Sequence, residues 1–268
     1  MMEAAPTPIS HRPRRHPRRR RIPRAAFPST FTLLNLLSGF YAIIMTAQGD
    51  FDKAAWLVVA AGLFDAMDGM MARLVDGVSD FGIELDSLSD IVSFGVAPSF
   101  LLYEFGLNRL GLLGGVLAAL PAICGAVRLA RYNVSFSEKK DYFEGLPIPA
   151  QAAAVVAFIL VFDDVDWFNG LERGRVSILV PMVITLSVLM VSTVRFDALP
   201  KPTPRYLRAH KLKALAMLVA ILLLIFLQEI GLLVTITAYL LHGIGRALRW
   251  AFRAASGEVN GDDPVLDL

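Results

Sequence analysis

The chain has 268 residues, 55% of them hydrophobic, a mean hydropathy of +0.56 and a formal net charge of +2. Soluble domains are also about half apolar, so the fraction decides little. A soluble globule is excluded by arrangement instead: apolar runs long enough to cross a bilayer recur along the chain, separated by short polar breaks. The single cysteine, Cys124, falls in an apolar run, which excludes an internal disulfide framework and reads as a small packed side chain.

Residues 1–27 form a tail in which Arg12, Arg14, Arg15, Arg18, Arg19, Arg20, Arg21 and Arg24 are interleaved with prolines. Such a segment is expected to be disordered. It reads as a cytoplasmic anchor on anionic lipid heads rather than as a nucleic-acid-binding arm. It is not the n-region of a signal peptide, because many more spans follow the first apolar run.

Eight spans are predicted, near 30–48, 53–75, 84–106, 109–131, 148–163, 175–195, 211–228 and 230–249. The fifth is short and the third is interrupted by polar residues. The fold class is all-α, a polytopic transmembrane helix bundle. The segment 28–200 is expected to form its core, 201–253 a C-terminal transmembrane hairpin, and 254–268 a polar tail. Placing the arginine tail in the cytoplasm leaves only Lys53, Arg109, Arg173 and Arg175 of the 26 Lys and Arg on the other side, which fixes the expected orientation.

The first span carries Thr32, Asn35 and Gly39 at its cytoplasmic end, in PSTFTLLNLLSGFYAI. The second runs inward and ends in DAMDGMMAR, with Asp65, Asp68, Gly69, Ala72 and Arg73. The third begins on that same side with Gly82, Asp86 and Asp90. A bilayer penalises each carboxylate at a helix centre by about 2.5–3.5 kcal/mol on insertion scales, so four of them need a compensating role. Asp65 and Asp68 are i and i+3; Gly82, Asp86 and Asp90 follow at i+4 steps; each set shares one helix face. A short loop makes the two helices antiparallel neighbours, so the acidic stripes face each other near the cytoplasmic interface. Small residues beside them leave room for a ligand.

Carboxylates without interleaved His or Cys suit Mg²⁺, Mn²⁺ or Ca²⁺. Two such ions can clamp a pyrophosphate, and Arg73 adds planar donors for phosphate. The competing reading is structural pairing of acids with Arg73 or Arg128. A cation-coupled transporter is the rival function, disfavoured by the absence of an inverted repeat and by a site near one interface.

The fourth span ends in RLARYN, with Arg128, Arg131 and Asn133, and the following loop leads into FEGLPIPA, Phe143 to Ala150. Arg128 and Arg131 differ by three positions and can grip a carboxylate together, or else serve as snorkelling anchors. Pro147 and Pro149 restart the fifth span, since Pro is tolerated in a first turn.

The pattern D-x2-D-G-x2-A-R-x8-G-x3-D-x3-D is complete in Asp65, Asp68, Gly69, Ala72, Arg73, Gly82, Asp86 and Asp90. It resembles the CDP-alcohol phosphotransferases, which exchange the CMP of a CDP-linked lipid for an alcohol. The resemblance implies a six-span core, here with two further spans, and a homodimer. It implies that Asp65, Asp68, Asp86 and Asp90 hold two divalent ions (Mg²⁺ or Mn²⁺), with Asp90 as general base. Gly69, Ala72, Arg73 and Gly82 would line the site of the CDP moiety. Across residues 27–196, the first-span residues, the arginine pair and the F-x-G-L-P-x-P-A loop resemble the membrane-integrated phosphatidylserine synthases of that family. This implies CDP-diacylglycerol and L-serine as substrates, with Arg128, Arg131 and Asn35 binding the acceptor. Glycerol 3-phosphate, an inositol phosphate or choline are the alternative acceptors. The expected location is the cytoplasmic membrane, multi-pass, with the active site on the cytoplasmic side and no nucleic-acid partner.

Overall fold

A computed structural model describes residues 28–74, 80–134, 142–165, 174–197 and 211–255. The arginine tail, the loop between Leu74 and Asp80, Lys139, Lys140 and the C-terminal tail lie outside the described residues. In chain order the elements are α1 (Pro28–Ala47), α2 (Phe51–Leu74), α3 (Asp80–Asp90), a π-helical segment (Ile91–Val96), α4 (Ala97–Phe105), a 3₁₀ turn (Leu107–Leu110) and α5 (Leu112–Val134). Then come β1 (Tyr142–Glu144), α6 (Ile148–Phe162), α7 (Gly174–Val191), β2 (Arg195–Asp197) and α8 (Lys211–Ala255). The protein is an all-α polytopic bundle.

Six helical stretches among the described residues are long and apolar enough to cross a membrane: Thr30–Ala47, Phe51–Met71, Phe81–Phe105, Leu112–Val134, Gly174–Val191 and Leu215–Arg249. Helix α6 is shorter, at 15 residues, or about 22 Å at 1.5 Å per residue. The last stretch is two passages rather than one. Gln228 breaks it with φ 42°, and Gly231 lies against the carbonyl of Leu223. In a straight helix those residues would be about 12 Å apart, so the chain folds back at Gln228. Counting α6 and the two halves of the last stretch separately, the described residues hold eight apolar helical segments at the positions expected from the hydropathy pattern, six of the stretches being span-length as they stand.

Two hydroxyls of α1 are satisfied on their own helix, as lipid favours. Ser38 Oγ donates to Leu34 O and Thr46 Oγ1 to Ala42 O, both at 2.8 Å. Apart from the buried Gln151, helix α6 is apolar on every face because every face is covered: Val155, Val156, Ala157 and Ile159 are fully buried. It packs against α2, the π segment, α4, α7 and α8. Helix α1 lies along α2 and reaches α3, the π segment and α4; α5 lies along α4 and α7.

The interrupted third span is one passage with a π bulge in its middle. Pro98, in the first turn of α4, lacks an N–H and crowds the carbonyl four residues earlier. The turn widens, and the Ala97 N–H donates instead to Val92 O, five residues back. The bulge begins immediately after Asp90 and so sets the angle at which α3 presents its aspartates.

Two three-residue strands, not foreseen from the pattern, form an antiparallel ladder pairing Phe143 with Phe196. Gly145 N donates to Val194 O and Leu146 N to Leu189 O, each at 2.9 Å. The chain entering α6 is thereby fastened to the end of α7.

Candidate active site

Helices α2 and α3 bring Asp65, Asp86 and Asp90 together. One carboxylate oxygen from each lies within 4.8 Å of the others. Two oxygens sharing one hard cation are at most about 5 Å apart, twice a metal–oxygen bond, so the three acids fit one cation between them. Without such a charge, carboxylates this close repel in a low-dielectric setting.

The fourth aspartate is held differently. Asp68 is 7% exposed; its Oδ2 accepts a short hydrogen bond from Thr32 Oγ1, and its Oδ1 is buried with no hydrogen-bond partner. A buried carboxylate oxygen left without a donor is costly. An oxygen donor set with one unsatisfied buried member suits a hard cation, so the residues present fit a divalent metal.

Helix α1 supplies the support. Asn35, fully buried, donates from Nδ2 to Asp90 Oδ1 at 3.1 Å. Ser93, in the π segment, donates to Asn35 O at 2.9 Å. Thr32, Asn35 and Gly39 share one face of α1, at offsets of three and seven. Gly39 lets that face approach: a Cβ there would sit 2.6 Å from Ser93 Cα. Substituting Gly39→Ala is therefore expected to push α1 off the π segment and loosen both aspartate contacts. The cost should be about 1–3 kcal/mol of stability and about tenfold or more in turnover, read by thermal unfolding in detergent and by product release. A fully active, equally stable variant would show that the close approach is dispensable.

Asn35, expected at the acceptor, thus holds Asp90. Arg128 is 7% exposed on α5 and lies in the electrostatic reach of Asp90, Arg131, Tyr132 and Tyr239. Arg131 is exposed and directs Nη1 to Val191 O at 3.5 Å, the outer limit of a hydrogen bond. Asn133 Nδ2 donates to Ser87 Oγ at 3.0 Å, tying the end of α5 to α3. Gly69 on α2 and Gly82 on α3 flank the acidic faces. Ala72 and Arg73 continue α2 in backbone; their side chains lie outside the described part. The sequence reading missed Ser87, although it lies three residues before Asp90.

The bundle and its cluster of three aspartates define a polytopic membrane protein with a group of carboxylates able to hold a hard cation. Residues 25–173 match the CDP-alcohol phosphatidyltransferase family, and the chain belongs to that family. It is 36% identical over 228 residues to the CDP-diacylglycerol–serine O-phosphatidyltransferase of Helicobacter pylori, covering 84% of this chain and 91% of that one. It is 35% identical to the archaetidylserine synthase of Methanothermobacter thermautotrophicus, over 64% of this chain and 69% of the relative. With the CDP-diacylglycerol–serine O-phosphatidyltransferase of Bacillus subtilis the identity is 33%, over 65% of this chain and 91% of the relative.

Proposed function

We propose that this protein transfers the phosphatidyl group of CDP-diacylglycerol to L-serine, giving phosphatidylserine and CMP in phospholipid biosynthesis. The observation that carries the reading is the convergence of Asp65, Asp86 and Asp90 on one ion-sized space, within the electrostatic reach of the buried Arg128. The reading includes a multi-pass protein of the cytoplasmic membrane with this site at the cytoplasmic face, and a homodimer.

Asp65, Asp68, Asp86 and Asp90 would hold the divalent ions, Mg²⁺ or Mn²⁺, two in number. When bound, these supply positive charge that offsets the pyrophosphate and the departing CMP. Asn35 fixes the rotation of the Asp90 carboxylate through Oδ1, which leaves Oδ2 to take a proton. Asp90 accepts the serine hydroxyl proton as that oxygen bonds to the lipid-side phosphorus and the bond to CMP breaks. Gly69, Ala72, Arg73 and Gly82 line the place of the CDP moiety. Arg128, with Arg131 at the mouth, receives the serine carboxylate, for which a planar guanidinium is suited.

The test is CMP release from CDP-diacylglycerol by purified protein with Mn²⁺ or Mg²⁺ and a panel of acceptors: L-serine, glycerol 3-phosphate, an inositol phosphate and choline. Stimulation by serine alone is expected. Stimulation by another alcohol and none by serine would overturn the acceptor assignment, and solute uptake into proteoliposomes without CMP release would favour transport. In the same assay Arg128→Gln should raise the KM for serine about tenfold or more, the scale of a charge-assisted hydrogen bond, with a smaller change in the KM for CDP-diacylglycerol.

A further inference from the structure

Helix α3 carries two of the three clustered aspartates, yet among the described residues it packs closely only on α1 and on the π segment that continues it. Its C-terminal end is pinned there. Asn35 Nδ2 donates to Asp90 Oδ1 at 3.1 Å, and Ser93 Oγ donates to the Asn35 carbonyl at 2.9 Å. Asp86 stands one turn nearer the start of the helix, about 6 Å along the axis, beyond either of these bonds.

A second tie reaches that turn from α5. Asn133 Nδ2 donates to Ser87 Oγ at 3.0 Å, across 46 positions of the chain. Asn133 is half-buried and turned inward, while its neighbours Tyr132 and Val134 are exposed. Ser87 adjoins Asp86 and lies three residues before Asp90, so a bond to it acts on the turn that carries both acids. A helix pinned at Asp90 alone can tilt about that point, and a tilt of about 10° moves Asp86 by about 1 Å over the intervening 6 Å or so. Hard cations hold their oxygen donors at about 2.0–2.6 Å. An error of that size takes Asp86 out of a site shared with Asp65 and Asp90, whose carboxylate oxygens lie within 4.8 Å of one another and of its own.

We propose that Asn133 is a positioning residue for the metal site: through Ser87 it fixes the tilt of α3 and so holds Asp86 in place beside Asp65 and Asp90. Asn35 and Asn133 are then two pins of one helix, the first set on α1 and the second on α5. Asn133 acts through α3 rather than on the ion. The inference rests on the reading of Asp65, Asp86 and Asp90 as holders of a divalent ion.

The experiment measures Mn²⁺ binding to the purified full-length protein in detergent, through loss of the electron paramagnetic resonance signal of free Mn²⁺. CMP release at varied Mn²⁺ is followed beside it. Asn133→Ala should weaken Mn²⁺ binding about three- to tenfold, the scale of one neutral hydrogen bond, and raise the half-activating Mn²⁺ concentration by the same factor. Ser87→Ala should do the same, and it stands in if Asn133→Ala does not fold. Both variants remove one and the same bond, so the double variant should bind no more weakly than either single. Combining Ser87→Asn with Asn133→Ser rebuilds a donor and an acceptor and should restore binding to within about twofold. Asn108→Ala, exposed on the 3₁₀ turn between α4 and α5, should change nothing. Wild-type binding of Mn²⁺ with both single variants unchanged overturns the inference and leaves the aspartate reading standing. Single effects that add in the double variant overturn it as well, since the two residues then act separately. A lower unfolding temperature with unchanged Mn²⁺ affinity marks Asn133 as merely structural and also overturns it. A wild type that binds no Mn²⁺ and releases CMP without it overturns the metal reading and the inference together.

Discussion

Asp90→Asn should abolish CMP release, by at least about a thousandfold. A positioned general base is worth about 10²–10⁴ in rate, and the variant also loses one charged donor of the acidic cluster. The substitution is nearly isosteric, and the new amide can still offer Oδ1 to Asn35 Nδ2, so helices α1 and α3 should stay together. Stability gives a second readout with a definite sign. In EDTA, three carboxylates within 4.8 Å of one another repel, and removing one charge relieves that. The metal-free variant should therefore unfold at a higher temperature than the metal-free wild type. With Mn²⁺ in excess the order should reverse, because a ligand that binds only the folded state adds RT ln(1 + [L]/Kd), about 2.7 kcal/mol at a hundred times Kd. The checks are CMP release and thermal unfolding in detergent, each with EDTA and with Mn²⁺. Turnover within tenfold of wild type, or an unfolding temperature of the wild type indifferent to Mn²⁺, would sink the assignment of this cluster as a metal-dependent catalytic centre.

The parts of the site legible in the sequence are those governed by one helix at a time. Asp65 with Asp68, and Gly82 with Asp86 and Asp90, follow i+3 and i+4 steps, and a short loop forces their helices to be neighbours. Even the fold-back at Gln228 was marked, as a polar pair, Gln228 and Glu229, between two apolar runs. What the pattern could not give is which side chain meets which across helices. Thr32 and Asn35 stood out as polar residues in the first span, but their partners, Asp68 and Asp90, lie 36 and 55 positions away. Asn35 reads as an acceptor ligand from the sequence; its Nδ2 donates to Asp90, while its Oδ1 is buried without a partner. Four aspartates looked equivalent by spacing, whereas Thr32 singles out Asp68. The β1–β2 ladder left no periodic trace, since three residues are too few for an alternation and the strands are about fifty positions apart. The π bulge did leave a trace in Pro98, whose missing N–H explains it.

Gly145→Val should disable the acceptor side of the site while leaving the aspartates in place. Gly145 has φ +75°, a conformation that costs an ordinary residue about 1–2 kcal/mol and a β-branched one more. Space forbids the side chain as well: a Cβ at this position would press on the carbonyl of Met190 and lie 3.0 Å from Ser192 O. Both neighbours are backbone, so neither can swing aside. The chain would have to lift, breaking the Gly145–Val194 and Leu146–Leu189 hydrogen bonds that hold the entry to α6. Together these should cost about 3–5 kcal/mol. Because Ile148 follows within three residues and touches both α5 and the π segment, contacting Gly125 and Gly95, the displacement reaches the helix that carries Arg128. The KM for serine should rise at least about thirtyfold, and the unfolding temperature should fall by several degrees. The metal response of the unfolding temperature should persist, since Asp65, Asp86 and Asp90 belong to α2 and α3. Gly145→Ala should show the same pattern at reduced size. The decisive comparison is serine KM against Mn²⁺-dependent stabilisation in the same preparation: loss of both together would mean that the loop and the acidic cluster are one cooperative unit rather than two separable halves of the site.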